Sequence, residues 1–179
     1  GTIKKLGTAL KGKGDNNMKK MKKLFAMLLT LAMVFGMSMT SFAAPAATAK
    51  ITVKNLTAND NTTLNLYQVV KFNDATSSWE VTDWVKNALK SDPSLVDLTT
   101  KPAKIDYAKL AEKYLPTSPN AVKENVNTTS CDFTDLEVGA YLITASGDTT
   151  SYTVMGTGTY DYDENSNLIK PVSKEISAK

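Results

Sequence analysis

The feature that most limits what this chain can become is an apolar run of 14 residues, 24–37. Lys19, Lys20, Lys22 and Lys23 precede it, and Ser41-Phe42-Ala43 follow. A membrane-spanning helix needs about 20 apolar residues, whereas a basic segment, a shorter apolar segment and a small-residue site in that order make a secretory signal peptide. Residues 18–43 are therefore expected to be a signal-peptide helix, cleaved after Ala43 or after Ala44. The chain would meet the membrane only before that cleavage. The part of this sequence expected to fold outside the cell is residues 44–179.

Residues 1–17 would hide such a signal if they were translated. The stretch Lys13-Gly14-Asp15-Asn16-Asn17-Met18 can be encoded as AAA GGA GAT AAT AAT ATG, which contains a purine-rich ribosome-binding sequence at a normal distance from the start codon. Residues 1–17 are thus expected to be an untranslated leader read through from upstream of the true start.

Setting residues 1–43 aside reverses the electrostatics. The whole chain carries a formal charge of +3, but from residue 44 onward there are 13 lysines against 17 acids. An acidic domain with no arginine, the preferred bidentate reader of phosphates and bases, argues against a nucleic-acid partner. The chain also has no histidine, which removes histidine-based triads, Cys-His pairs and histidine metal sites. Cys131 is the single cysteine. It cannot close an intramolecular disulfide and reads as a small buried residue, not a nucleophile.

From residue 44 the chain is 136 residues long, enough for one domain with a real core. Residues 44–49 read as a small-residue tether. Residues 50–56 alternate apolar and polar, as a half-buried strand should, and Asn59-Asp60-Asn61 supplies the turn to a second strand, 64–72. A third strand covers 79–81. Thr82 or Asp83 then caps a helix whose Trp84, Val85, Ala88 and Leu89 form one stripe, ended by Asp92-Pro93. A second short helix is expected over 106–115, with Tyr107, Leu110, Ala111 and Tyr114 on one face. Strands resume at 121–127, 140–145, 152–155 and within 168–178. Two short helices inserted among strands predict a mainly β fold over 50–179, an immunoglobulin-like β-sandwich.

No catalytic set or metal site stands out. Asp161, Asp163 and Glu164 are carboxylates of the kind that hold calcium, but the twelve-residue loop pattern is missing and a solvated turn is expected. No metal and no cofactor are therefore expected. Asn55, Asn61 and Asn127 head Asn-x-Ser/Thr triplets, which carry little meaning in a bacterium.

The order of features resembles the N-terminal domain of major (backbone) pilins of Gram-positive sortase-assembled pili, the isopeptide-forming fimbrial family. The residues that carry the resemblance are Ile51-Thr52-Val53, Leu66-Tyr67-Gln68-Val69-Val70 and the tryptophan-containing insertion. They continue with Phe133-Thr134-Asp135-Leu136-Glu137-Val138-Gly139-Ala140-Tyr141-Leu142-Ile143 and the lysine-bearing stretch 169–179. The resemblance implies a structural subunit and not an enzyme. Its partners would be other pilin subunits and a class C-type sortase, and its place the pilus or cell wall of a Gram-positive bacterium. In that family a lysine near the end of this domain attacks the sortase thioester of the next subunit. By position that lysine is Lys179, Lys174 or Lys170, with the first two ranked ahead because the usual Tyr-Pro-Lys context is absent. The plainer alternative for each is a solvated lysine on an edge strand.

Two departures from the family carry expectations of their own. Aligning its Tyr-x-Leu-x-Glu motif through Tyr141 puts Ala145 where the proton-shuttling glutamate belongs, so no intramolecular isopeptide bond, for example through Lys54, is expected. Leu115-Pro116-Thr117-Ser118-Pro119 imitates a sorting motif only in its first three positions and is expected to be a loop. The true sorting signal would then lie beyond Lys179, in a longer protein. The rival to the pilin assignment is an immunoglobulin-like binding module of a secreted or wall-anchored adhesin that meets a host surface ligand.

Overall fold

The computed structural model describes residues 48–73, 75–162 and 169–179. The leader, the signal peptide, its cleavage positions Ala43 and Ala44, and the carboxylates Asp163 and Glu164 lie outside the described residues. Twelve strands and two α-helices follow one another there. They are β1 (Ala49–Lys54), β2 (Thr62–Asn73), β3 (Ser78–Val81), α1 (Asp83–Ser91), a 3-10 turn (Pro93–Leu95), β4 (Val96–Asp97), β5 (Lys104–Ile105), α2 (Tyr107–Lys113), β6 (Ala121–Val126), β7 (Cys131–Leu136), β8 (Gly139–Ser146), β9 (Met155–Gly158), β10 (Tyr160–Tyr162), β11 (Ile169–Pro171) and β12 (Lys174–Ser177). The described residues 48–73, 78–162 and 169–179 form one unit, while 75–77 are a turn outside it.

The fold is a mainly β sandwich. One sheet has the order β12-β1-β7, with β12 parallel to β1 and β7 antiparallel to it. The other runs β3-β2-β8-β9, and β6 shares the outer edge of β2 with β3: β6 pairs with 62–66 and β3 with 70–73. Between the two sheets lies an apolar layer of Ile51, Val53, Leu64, Leu66, Phe133, Tyr141 and Ile143, among others. The opposite face of β2 and β8 is covered by the helical insertion, which buries Tyr67, Val69, Leu142, Val85, Ala88, Leu95 and Leu110 together. The large sheet is thus covered on both faces, which is why β8 is buried at its first five positions instead of alternating. Parallel alternation and continuous burial have the same cause: residues of opposite parity serve different cores.

The edge of β2 has a gap between its two partners, and side chains fill it. The Leu66 carbonyl accepts from Asn120 N–H at 2.7 Å, and Gln68 N–H donates to Asn120 Oδ1 at 2.7 Å. The Gln68 carbonyl accepts from Thr82 Oγ1 and Trp84 Nε1, both at 2.8 Å. The Val69 carbonyl accepts from Thr82 N–H at 3.0 Å. Val69 is also the extra residue of a bulge against β8, since Gln68 lies opposite Tyr141 and Val70 opposite Ala140. Both ends of the insertion, at Thr82 and Asn120, are therefore pinned to the stretch of β2 whose outer edge has no strand beside it. Thr82 occupies the expected capping position of α1, but its hydroxyl serves β2 and makes no cap bond to the helix. Asp106 does cap α2, accepting from Lys109 N–H at 3.0 Å.

Several expected boundaries shift. Ala49, assigned to the tether, is buried and begins β1. The strand expected at 152–155 is displaced to Met155–Gly158, because Tyr152 turns its hydroxyl to accept from Thr57 N–H at 2.8 Å. The single strand expected within 168–178 is two strands: β11 pairs with β10, and after Val172 and Ser173 the chain crosses over so that β12 pairs with β1. The strand β7 was not expected as such. Only Phe133 and Leu136 of it are buried, and Asp135 has φ 57°, which breaks the alternation that would reveal a strand.

Asp60, expected only as a turn residue, is 3% exposed. Its carboxylate accepts from the Thr149 hydroxyl at 2.6 Å, from Thr149 N–H at 2.9 Å and from Thr150 N–H at 3.1 Å. The Thr149 hydroxyl is the largest influence holding its pKa below the ordinary aspartate value; burial opposes this and the remaining donors reinforce it.

Two outcomes are expected. Leu142→Ala, which empties a fully buried site beneath the helical insertion, should cost about 2–5 kcal/mol in urea unfolding. Because the folded-state pKa of Asp60 is depressed, its contribution is complete above the unfolded value of about 3.9 and is lost as pH falls through the lower folded value. The stability gap between wild type and Asp60→Asn should therefore be constant at neutral and mildly acidic pH and close below about pH 4, as followed by unfolding midpoints across that range.

Candidate functional site

The three candidate lysines sit on the carboxy-terminal strands, in different surroundings. Lys170 is exposed on β11, in register with Asp161 of β10. Lys174 opens β12, and its Nζ donates to Asp161 Oδ1 at 2.9 Å. Its side chain is 30% exposed and that of Asp161 57%, so this is a largely solvated pair worth at most about 1 kcal/mol. It nevertheless occupies the ammonium and ties the β10–β11 hairpin to the smaller sheet. Asp161, considered above for calcium, is engaged here as a lysine partner. Among the described residues no group of three or more potential metal ligands occurs.

Lys179 is different. It is exposed, and the segment that carries it is anchored through backbone and neighbouring side chains. Its carbonyl accepts from Thr153 N–H at 2.9 Å, and Ala178 N–H donates to the Lys54 carbonyl at 2.8 Å. The Ala178 carbonyl accepts from Asn55 Nδ2 at 2.9 Å, and Ala178 is itself buried in the sandwich core. Lys179 lines a cleft of about 220 Å³ with Thr153, Met155, Gly156 and Ile176. This cleft opens where the outer edge of β9 faces the end of β12. Thr153, Val154 and Gly156 also border a second cleft of about 510 Å³, whose other wall is Leu95, Ile105 and Tyr107.

Gly156 matters to that second wall. The ring of Tyr107 occupies the space a β-carbon at position 156 would need, so only glycine lets α2 approach β9 this closely. Burial, with Tyr160 nearby, pushes the Tyr107 phenol above its ordinary pKa, and it lines the cleft as a neutral hydroxyl.

Of the residues named for other chemistry, Cys131 was expected to be buried and is only half-buried, at the margin of the sandwich core. Lys54 Nζ forms an ion pair with Glu175 Oε2 at 2.7 Å with half its side chain exposed, while Ala145 faces the sandwich core. Among the described residues no lysine is buried. Burial, the dominant influence, pushes the half-buried Cys131 thiol upward, away from thiolate chemistry. Residues 115–119 form an irregular loop after α2. No described helix is long and apolar enough to cross a membrane.

No family model matches the chain, and no curated protein matches it. Among solved structures it is similar to major pilins of Gram-positive bacteria. The T6 backbone pilin of serotype M6 Streptococcus pyogenes shares 12% identity at a TM-score of 0.45, over 76% of this chain and 28% of that one. The Corynebacterium diphtheriae major pilin SpaA shares 14% at 0.41, over 73% of this chain and 30% of that one. A C. diphtheriae SpaA pilin–signal peptide complex shares 14% at 0.42, over 73% of this chain and 96% of that one. The chain thus spans less than a third of the first two pilins.

The absence of a buried lysine and of an acid at position 145 leads to one expected outcome. The intact mass of the secreted domain should equal the value calculated from its sequence; a deficit of one ammonia would show an internal isopeptide bond.

Proposed function

We propose that residues 44–179 are the first domain of a sortase-assembled pilus shaft subunit, with Lys179 as the acceptor amine. The order of sequence features supports the pilin assignment, and one structural observation supports the choice of lysine. The backbone that carries Lys179 is anchored by Thr153, Lys54 and Asn55, whereas Lys174 is engaged by Asp161. An amine attacks an acyl-enzyme thioester only as the neutral form, with its lone pair free. The sortase has to take the proton, and an ammonium already held by a carboxylate has to be released first.

On this proposal the chain is a substrate and not an enzyme. It is exported through residues 18–43, linked outside the cell to other subunits, and displayed on the surface of a Gram-positive bacterium. Its sandwich would contribute shape to the shaft. The larger cleft beside Tyr107 favours a second assignment, an adhesin module presenting that face to a host ligand.

The deciding experiment is tryptic mass spectrometry of fibres assembled in the natural host, with Lys179→Arg, Lys174→Arg and Lys170→Arg variants beside the wild type. The expected result is a branched peptide at Lys179 and loss of fibres only in Lys179→Arg. Unmodified cleavage at all three lysines, with fibres intact in every variant, would sink the acceptor proposal; absence of this chain's peptides from the fibres would favour the adhesin module.

A further inference from the structure

Asp60 is the one buried acid among the described residues, and all the donors to its carboxylate come from a single other loop, at Thr149 and Thr150. That loop also returns to the Asp60 backbone, where Asp148 N–H donates to its carbonyl at 2.8 Å. Gly147 lies so near Oδ2 that a β-carbon there would overlap it. Two more titratable groups belong to these loops. Asp148 Oδ2 accepts from Asn61 Nδ2 at 2.9 Å, and the Tyr152 hydroxyl accepts from Thr57 N–H. Neither loop, 55–61 or 147–154, contains a lysine, so hydrogen bonds and not an ion pair hold the carboxylate. Three residues beyond Thr150 comes the loop's last tie, from Thr153 N–H to the Lys179 carbonyl.

We propose that Asp60 is a positioning residue for Lys179. By holding Thr149 and Thr150 it sets the place of Thr153, and Thr153 sets both the Lys179 carbonyl and one wall of the cleft that the lysine lines. A carboxylate suits this task because it is acceptor-only on both oxygens. An asparagine would turn an NH2 group toward one of the donors it has to receive. The consequence for pilus assembly rests on the acceptor role proposed above for Lys179, but the coupling itself is a property of the fold and is measurable without sortase.

Amide hydrogen exchange by NMR on the full chain, wild type against Asp60→Asn, tests it, with the lysine amines followed as 13C-dimethyl groups. The amides of Thr149, Thr150 and Thr153 should exchange about tenfold faster in the variant, the exchange equivalent of one lost buried hydrogen bond. The Lys179 methyl signal should move, while the Leu66 amide and the Lys90 methyl signal stay where they are. Faster exchange at Thr149 and Thr150 with Thr153 and Lys179 unchanged would overturn the proposal, because Asp60 would then hold only its neighbouring loop. If Asp60→Asn loosens the whole core, Thr149→Val decides. It removes one hydroxyl donor, and the same pattern at Thr153 and Lys179 supports the coupling, while its absence overturns it. A fibre joined through Lys174 or Lys170 would remove the acceptor role and leave this exchange pattern intact.

Discussion

The structure depends on how the backbone of β2 is satisfied between Leu66 and Val70. Strand β2 lies against β8 along its whole central part, but its other edge changes partner from β6 to β3, leaving the intervening peptide groups without a strand. Buried peptide groups without partners are costly. Asn120, Thr82 and Trp84 supply the missing donors and acceptor. Because Thr82 begins the helical insertion and Asn120 ends it, the same bonds that complete the sheet also hold the helices over its outer face. A second core therefore forms on the far side of a sheet that, in a plain sandwich, would face water.

The smaller sheet and the loops finish the domain at the opposite end. Strand β12 joins β1 in parallel only after the chain has crossed from the β10–β11 hairpin, and the Lys50 N–H bond to Ser173 Oγ at 3.0 Å marks the crossing. From there to residue 179 the backbone is gripped by Asn55, Lys54 and Thr153. Two lysines five residues apart thus acquire different situations. One is held by a carboxylate near the start of the strand, and the other is left at a cleft where two sheet edges meet.

Much of this was legible in the sequence because period-two and helical patterns follow from which side of an element is dry. Strands β1, β2, β3, β6 and β8 and both helices lie where their apolar spacing puts them. Strand β7 was not legible, since its left-handed Asp135 and exposed acids interrupt the alternation. The division of 168–178 into β11 and β12 was hidden for another reason. The residues alternate acceptably throughout, and only pairing decides that the first half belongs to a hairpin and the second half to another sheet. The burial of Asp60 was also invisible, because an Asn-Asp-Asn turn is ordinarily solvated and its partners lie almost 90 residues away.

What the sequence by itself determined is the kind of object: a β-rich domain with two helices inserted, no histidine chemistry, no disulfide within residues 1–179, and three lysines within 170–179. Composition and local periodicity suffice for that, because they state which groups exist and which faces must leave water. Only the tertiary structure decided that Lys174 meets Asp161, that Lys179 borders a cleft, and that Asp60 is buried against Thr149 and Thr150. Those contacts join residues far apart in the chain, and no local pattern encodes a distance between them.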